Sequence, residues 1–441
     1  MYKENELRNL LGNKKILIAG YGREGKSTER LLKVLDPDRA LVIVEGNDNI
    51  RREAKKGYDL ILKSPGIPMC VFEGLCDLST ISSQTDIFLQ LFGNQAIGIT
   101  GTKGKSTTTN LVYSIMRSHY GSRVIMAGNM GVPLFDIVDR LDSRSMVVCE
   151  LSCHQLENIH CSPHIGVVLN LFQEHLDHYH SYLDYQMAKM NIGLHQHADD
   201  YFFYCNDNKD LRERVEQNQV LLKGNVISYD LDEAKQLQGI DSPLQGDHNR
   251  CNILVAYYVS LIMKVPRNEI VDAINGFQGL EHRLERVGVF RGITFYDDSI
   301  STIPEACMAA IKALNDVDTL ILGGYDRGID YGGLMAFLET SPVRNIAFVG
   351  KAGERMIATA GGDMALKGRN VLREDDYGKI VYWCFEHTEK GKSCLLSPAA
   401  ASYDAFKNFE ERGQVFKELV KAMGKVTCQP KADKDEINVT I

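Results

Sequence analysis

Residues 96–109 read AIGITGTKGKSTTT, and this stretch decides the fold of the middle of the chain. The apolar run Ala96–Ile99 reads as a buried β-strand. It breaks into Thr100-Gly101-Thr102-Lys103-Gly104-Lys105-Ser106, and the breaker-free run Thr107–Ser118 reads as a helix. Strand, glycine loop and helix in that order suit a phosphate. Gly101 and Gly104 let backbone N–H groups turn toward anionic oxygens, and a helix N-terminus adds unpaired donors and partial positive charge. Lys105 is placed to reach the β- and γ-phosphates, and the Ser106 hydroxyl to ligate Mg²⁺. The loop is a compressed variant of G-x-x-x-x-G-K-[ST], because Ile99 stands where the first glycine belongs.

The chain has 441 residues, too many for one core and enough for two to four domains. Its net charge of −8 argues against a general nucleic-acid or membrane-surface binder. No apolar run approaches the roughly 18 residues of a membrane span. The opening MYKENELRNLLGNKK has no signal-peptide core. Eleven cysteines occur without a C-x-x-C pair. In a chain of this size they read as reduced, cytoplasmic thiols, neither a disulfide frame nor a zinc site.

Toward the N-terminus, Lys15–Gly20 and Leu41–Glu45 read as strands, with a helix at Ser27–Leu35. Between the first strand and that helix lies Gly20-Tyr21-Gly22-Arg23-Glu24-Gly25, a complete G-x-G-x-x-G, and Glu45 follows twenty residues after Gly25. This is the fingerprint of a diphosphate-binding turn, open to NAD, FAD or another nucleoside diphosphate, and also to an α/β turn with no ligand. A third strand, Tyr58–Ser64, ends in Pro65-Gly66-Ile67-Pro68, at the edge where open α/β sheets bind ligands.

After the phosphate loop, Gly128-Asn129-Met130-Gly131 forms a turn. Strand Ser145–Glu150 ends in a carboxylate where a metal-binding acid of a phosphate-loop protein sits. Strand Ile165–Asn170 leads to Gln173-Glu174-His175-Leu176-Asp177-His178; with His180 these residues allow a metal site, a zinc site or a solvated loop. Lys189 falls on a helix, Tyr182–Ile192, where a lysine ordinarily faces solvent. Asn249 and Asn252, three apart at the start of a helix running toward Met263, suit an adenine edge or a helix cap. From about Leu280 onward, strands at Ile293–Tyr296, Thr319–Leu322, Ile346–Val349 and Ser393–Leu396 alternate with helical stretches such as Glu305–Leu314, the pattern of a second Rossmann-like unit. The tail beyond about Ala422 is polar.

TGTKGKST, Gly128-Asn129 with Gly131, Glu150-Leu151-Ser152, EHLDHY, HNxxN, HR, DDS and LLSPAAASYDAFKNFEERG follow one another in an order that resembles the Mur ligases, above all their D-glutamate-adding branch at Leu395–Gly413. The resemblance spans the chain. It implies an α/β protein of three domains: a UDP-substrate-binding Rossmann-like domain over residues 1–92, a central P-loop-type ATPase domain over 93–279, and a C-terminal Rossmann-like domain over 280–441 that brings the amino acid. It implies an ATP-dependent, ADP-forming ligase of peptidoglycan precursor synthesis in the cytoplasm. The substrates would be UDP-N-acetylmuramoyl-L-alanine and D-glutamate, joined through an acyl phosphate, with two Mg²⁺ sites, no nucleic acid, no membrane insertion and a monomeric state.

Carried over by position, the resemblance gives ATP contacts to Gly101, Thr102, Lys103, Gly104, Lys105, Ser106 and Thr107, with Asn249 and Asn252 at the adenine and Arg283 and Asp298 at the nucleotide. It gives metal ligation to Ser106, Glu150, His175 and a carbamylated Lys189; Lys105, Glu150, His175 and Lys189 would carry catalysis. The UDP-substrate cradle falls on Gly22, Arg23, Glu24, Ser64, Pro65, Gly66, Asn129 and His175, and the amino-acid site on Thr302, Arg327, Ser402, Tyr403 and Phe409. The chain departs from the family pattern at Arg23-Glu24, where a Leu-Thr type is usual, and at Ile300 and Arg327, where lysines are usual. The alternatives left are an L-glutamate-adding variant, a folylpolyglutamate-synthase-like ligase, an NAD-dependent oxidoreductase built on GYGREG, and a non-catalytic nucleotide binder.

Overall fold

The computed structural model describes residues 1–425 apart from 177, 243, 245, 278, 360–365 and 367. Asp177 and the polar tail beyond Lys425, both part of the sequence reading, therefore lie outside the described residues. The chain folds into two compact units, Met1–Phe277 and a second beginning at residue 278.

The first unit holds two parallel sheets. Strands β1 (Ile16–Ala19), β2 (Val42–Val44), β3 (Leu60–Lys63) and β4 (Ile81–Ser82) form a sheet in the order β2-β1-β3-β4. Strands β5 (Ala96–Thr100), β6 (Val124–Gly128), β7 (Met146–Glu150), β8 (Ile165–Val168), β9 (Tyr201–Cys205) and β10 (Asn225–Tyr229) form the second, in the order β10-β9-β8-β5-β7-β6. In each sheet the chain leaves the first strand toward one edge and later returns to the other side. Such a reversal of strand order leaves a crevice at the strands' carboxyl ends. The loop after β1 and the loop after β5 both open there.

Strand β5 is buried along its whole length, as a continuous apolar run with helices on both faces requires. Ile97 and Ile99 pack with Val148, Ile165 and Val167 against Leu111, Val112, Ile115 and Met116 of the helix Lys105–Tyr120. Burying each such side chain contributes about 1.5–3 kcal/mol, so the phosphate-loop helix is anchored by its apolar face.

Two helices begin earlier than the sequence pattern predicts. The helix expected at Thr107 starts at Lys105, and the one expected at Ser27 starts at Arg23. In both, a glycine (Gly104, Gly22) occupies the N-cap with no side-chain cap. The apolar period shows where a helix packs, whereas its first turn here is polar and is fixed by the glycine before it. Gly25 lies inside the earlier helix, where a Cβ would stand 2.2 Å from the Gly20 carbonyl oxygen. That is the close helix–strand approach for which the third glycine of the fingerprint is needed.

The second unit carries β11 (Glu285–Phe290), β12 (Ile293–Asp297), β13 (Val317–Gly323), β14 (Asn345–Val349), β15 (Asn370–Arg373) and β16 (Ser393–Leu396), in the order β11-β12-β16-β13-β14-β15. Among the strands of the described residues, only the β11–β12 pair is antiparallel. Among the described residues no helix is long and apolar enough to cross a membrane.

Candidate active site

The loop between β5 and its helix is held from outside. The Asn170 carbonyl accepts from Thr102 N–H at 3.0 Å and its side-chain oxygen from Lys103 N–H at 2.8 Å, while its amide donates to the Lys103 carbonyl at 3.0 Å. Thr102 Oγ1 lies 2.7 Å from the Tyr185 hydroxyl and accepts from Phe172 N–H at 2.9 Å. Gly104 has φ of 85°, and a Cβ there would come within 3.0 Å of Asn252 Oδ1. Because a glycine caps the helix, no side chain takes its first-turn N–H groups, which stay available to an anion.

Two lysines converge on one carbonyl. Lys105 Nζ donates to Gly101 O and Thr102 O, both at 2.9 Å, and Lys189 Nζ donates to Gly101 O at 2.9 Å. Lys189 is only 2% exposed, with its ammonium 4.9 Å from the Tyr185 ring centroid. The surface reading of this residue is thus corrected: the helix Tyr182–Leu194 buries Tyr185, Ala188, Lys189 and Met190 beneath the loop. Burial pulls Lys189 down to about 7, with the Lys105 charge adding to the effect. Burial likewise lowers Lys105.

Glu150 ends β7 at the same sheet edge. Its Oε1 accepts from the Asn129 amide at 2.7 Å, and its Oε2 is buried with no partner. A buried carboxylate oxygen without a donor costs free energy that a cation would offset. The Glu150 carboxylate and the Ser106 hydroxyl, in the first turn of the helix Lys105–Tyr120, are oxygen donors of the kind a hard divalent ion takes. His175 has φ of 58° and its ring lies 4.7 Å from that of His154. Among the described residues of this window no three groups converge on one metal: His178 Nε2 turns to Glu157 at 3.4 Å and His180 Nε2 to Glu73 at 3.8 Å.

Asn252 is buried, and its amide donates to Asn249 Oδ1 at 3.2 Å. The capping alternative for these residues falls, since Gly246 is the N-cap and makes no side-chain cap bond.

The glycine loop after β1 faces the turn after β3. Ser64 Oγ donates to Gly20 O at 2.8 Å, and Pro65 and Gly66 follow. The departures at Arg23 and Glu24 have structural work. Arg23 Nη2 donates to the Asn129 carbonyl at 2.7 Å, and the Gln155 amide donates to Glu24 Oε1 at 2.7 Å. Burial raises the Glu24 carboxyl to about 7, with Gln155 and Lys63 acting the other way. Between 4.5 and about 7 the folded state therefore holds more protons than the unfolded chain, and this group's contribution to stability falls as pH rises. Glu24→Gln should gain on the order of 1 kcal/mol above pH 7 and nothing near pH 4. Chemical denaturation at the two pH values checks this; equal effects at both would count against it.

In the second unit, Asp298 is buried, its oxygens accepting from Leu284 N–H at 3.1 Å and Ser397 Oγ at 2.7 Å. Arg283 is exposed nearby in sequence, and Thr302 follows at the same strand end. The Arg327 guanidinium lies 5.3 Å from the Tyr403 ring centroid, and Ser402 is buried beside it in sequence. The Phe409 carbonyl accepts from Ser299 Oγ at 2.8 Å.

Sequence reasoning assigned no role to four side chains that build these sites. Asn170 and Tyr185 hold the phosphate loop. His154 sits between His175 and His178 with Nε2 buried and unpartnered, and burial pushes it down to about 4. Arg412, 1% exposed, donates to Ser299 Oγ and O and to the carbonyls of Ala400 and Ala401. It ties the Asp298-Ser299 turn to the Ala400-Ala401-Ser402 turn. A polar residue closing an apolar strand was the available signal for Asn170; a buried arginine in a charged FEERG run carries none.

Residues 99–260 match the Mur ligase middle domain. The UDP-N-acetylmuramoylalanine–D-glutamate ligase of Lachnoclostridium phytofermentans is 31% identical over 94% of this chain and 99% of its own length. The chain belongs to the Mur ligase family. A second Mur ligase of the same name, from Desulfitobacterium hafniense strain DSM 10664 / DCB-2, is 32% identical over 93% of this chain and 98% of its own. Among solved structures, the MurF ligase of Thermotoga maritima in complex with ADP aligns with a TM-score of 0.54 at 16% identity, covering 85% of this chain and 92% of that one. E. coli FolC with ADP aligns at 0.53 and 14% identity, covering 82% and 99%. At such identities these two speak for the shared Mur ligase fold alone.

Proposed function

We propose that this Mur ligase joins D-glutamate to UDP-N-acetylmuramoyl-L-alanine at the expense of ATP, a cytoplasmic step in peptidoglycan precursor synthesis. The observation that carries the chemistry is the convergence of Lys105 and Lys189 on the Gly101 carbonyl beside a capless helix N-terminus. The relatives' names supply the substrates.

A carboxylate is a poor acyl donor. Transfer of the ATP γ-phosphoryl group to the substrate's alanyl carboxylate gives an acyl phosphate and ADP. The amino-acid amine attacks the acyl carbon, the tetrahedral adduct collapses, phosphate leaves, and the nitrogen gives up a proton to form the amide. Gly101–Thr107 cradle the phosphates through backbone N–H groups. Lys105 offsets charge on the transferring group. Asn249 and Asn252 meet the adenine, and Arg283 and Asp298 serve the nucleotide. Ser106, Glu150, His175 and a carbamate on Lys189 would hold two Mg²⁺ ions, which when bound offset charge on phosphoryl oxygens. Gly22, Arg23, Glu24, Ser64, Pro65, Gly66 and Asn129 form the UDP-substrate cradle. We assign the three domains of this division of labour to residues 1–92, 93–279 and 280–441.

Thr302, Arg327, Ser402, Tyr403 and Phe409 take the amino acid. Arg327 offers a bidentate fork to one carboxylate, held by its contact with Tyr403. Ile300, at the position of a family lysine, offers no donor. ADP release with each glutamate enantiomer tests the reading. D-Glutamate is expected to give the higher kcat/KM by on the order of 10²-fold, as an unpaired buried carboxylate would cost its mirror image. A preference for L-glutamate would overturn the stereochemistry and leave the ligase chemistry; failure with both would overturn the amino acid.

A further inference from the structure

Two cysteines far apart in the sequence meet at the carboxyl edge of the second sheet. Cys205 ends β9, Cys251 lies in the second turn of the helix Asp247–Ile262, and Asp207 follows Cys205 by two residues. The two sulfurs and an Asp207 carboxylate oxygen all lie within 4.8 Å of one another. Neither thiol is in a disulfide. Asp207 Oδ2 accepts from Leu231 N–H at 2.7 Å, which fixes the carboxylate. Cys205 is buried and Asp207 exposed, so the cluster is closed on one side and open on the other.

Two sulfurs and a carboxylate brought together in this way are the donor set of a thiophilic ion. The thiolate is the form that ligates metal.

We propose that Cys205, Asp207 and Cys251 bind a thiophilic divalent cation of the Zn²⁺ class, with water completing the shell. Sulfur donors select such a cation over Mg²⁺, which prefers the oxygen-rich phosphate site. The motif was invisible in the sequence because its ligands come from a strand end and a separate helix, outside any C-x-x-C spacing. Binding would staple the start of that helix to β9. The residue after Cys251 is Asn252, whose amide lies against Gly104, so the staple would steady the wall of the phosphate loop. The site itself stands independently of the proposed ligase reaction, and its test needs no turnover.

The full chain, reduced and kept free of oxygen, is incubated with Zn²⁺, desalted and analysed for metal. About one equivalent per chain should remain, with loss in Cys205→Ser and Cys251→Ser and weakening in Asp207→Asn. Zn²⁺ should raise the Tm of the wild type and leave that of Cys251→Ser unmoved. Co²⁺ as a stand-in should show a thiolate charge-transfer band in the wild type, a readout that requires no variant to fold. Absence of retained Zn²⁺, absence of that band, retention in the serine variants equal to that of the wild type, or oxidation of the pair to a disulfide with no cation bound would each overturn the proposal.

Discussion

Lys105→Ala should lower kcat at saturating ATP by on the order of 10²-fold or more while the protein keeps its fold. The two halves of this expectation have separate causes. Lys105 opens the helix after β5, and among the described residues its ammonium donates to carbonyls of its own loop, Gly101 and Thr102. Those carbonyls accept equally well from water once the side chain is gone. The loop keeps its ties to Asn170 and Tyr185, and the helix keeps its apolar face on β5. Stability should therefore change little. The rate is another matter. Lys103, the neighbouring cation, is exposed and paired with Glu174, so it does not replace a charge following the γ-phosphate. Lys105 is also partly desolvated, and a charge in a water-poor site acts more strongly on a transferring phosphoryl group than one in bulk water. Steady-state ADP release alongside a thermal melt checks both halves. Turnover near that of the wild type would remove Lys105 from the chemistry.

The order of strand, glycine loop and helix was legible because each part has a local cause: an apolar run buried on both faces, glycines where φ is positive, and an amphipathic helix after them. The onset of that helix was not legible to the residue, since a glycine cap leaves no Ser, Thr, Asn or Asp to mark it. Glu150 was legible as a carboxylate closing an apolar strand. Its unpartnered oxygen was not, because that depends on how Asn129 approaches from the turn after β6. Lys189 was misread on its own helix. A helix pattern tells which residues share a face, and nothing in Tyr182–Leu194 announces that the partner covering Lys189 is a loop carbonyl 88 residues away. The same limit applies to Arg412 and to the Cys205–Cys251 pair, whose contacts are all long-range.

Lys189→Ala should lose nearly all turnover, on the order of 10²-fold or more, and a small added carboxylate such as acetate should restore part of it. Carbamylation requires a neutral amine, and free lysine near pH 7 is almost wholly protonated. Burial has already met that requirement, holding Lys189 near 7. The carbamate would turn a buried cation into a buried anion, which needs a cation as its partner. Activity should therefore fall on depletion of bicarbonate and rise with pH through 7 as the amine loses its proton. The unmodified protein carries a second signature that needs no substrate. Its Lys189 binds a proton less tightly when folded than when unfolded, so the unfolded chain holds the extra proton between about 7 and the ordinary lysine value of 10.5. Stability then rises with pH across that window and the burial penalty is fully felt below it. Lys189→Met, which fills the same space without a charge, should be more stable than the wild type at neutral pH and flatter over the same range. If Lys189→Ala turns over like the wild type, the carbamate assignment is wrong. If Lys189→Met follows the wild-type pH dependence, the amine is not the group that burial neutralises.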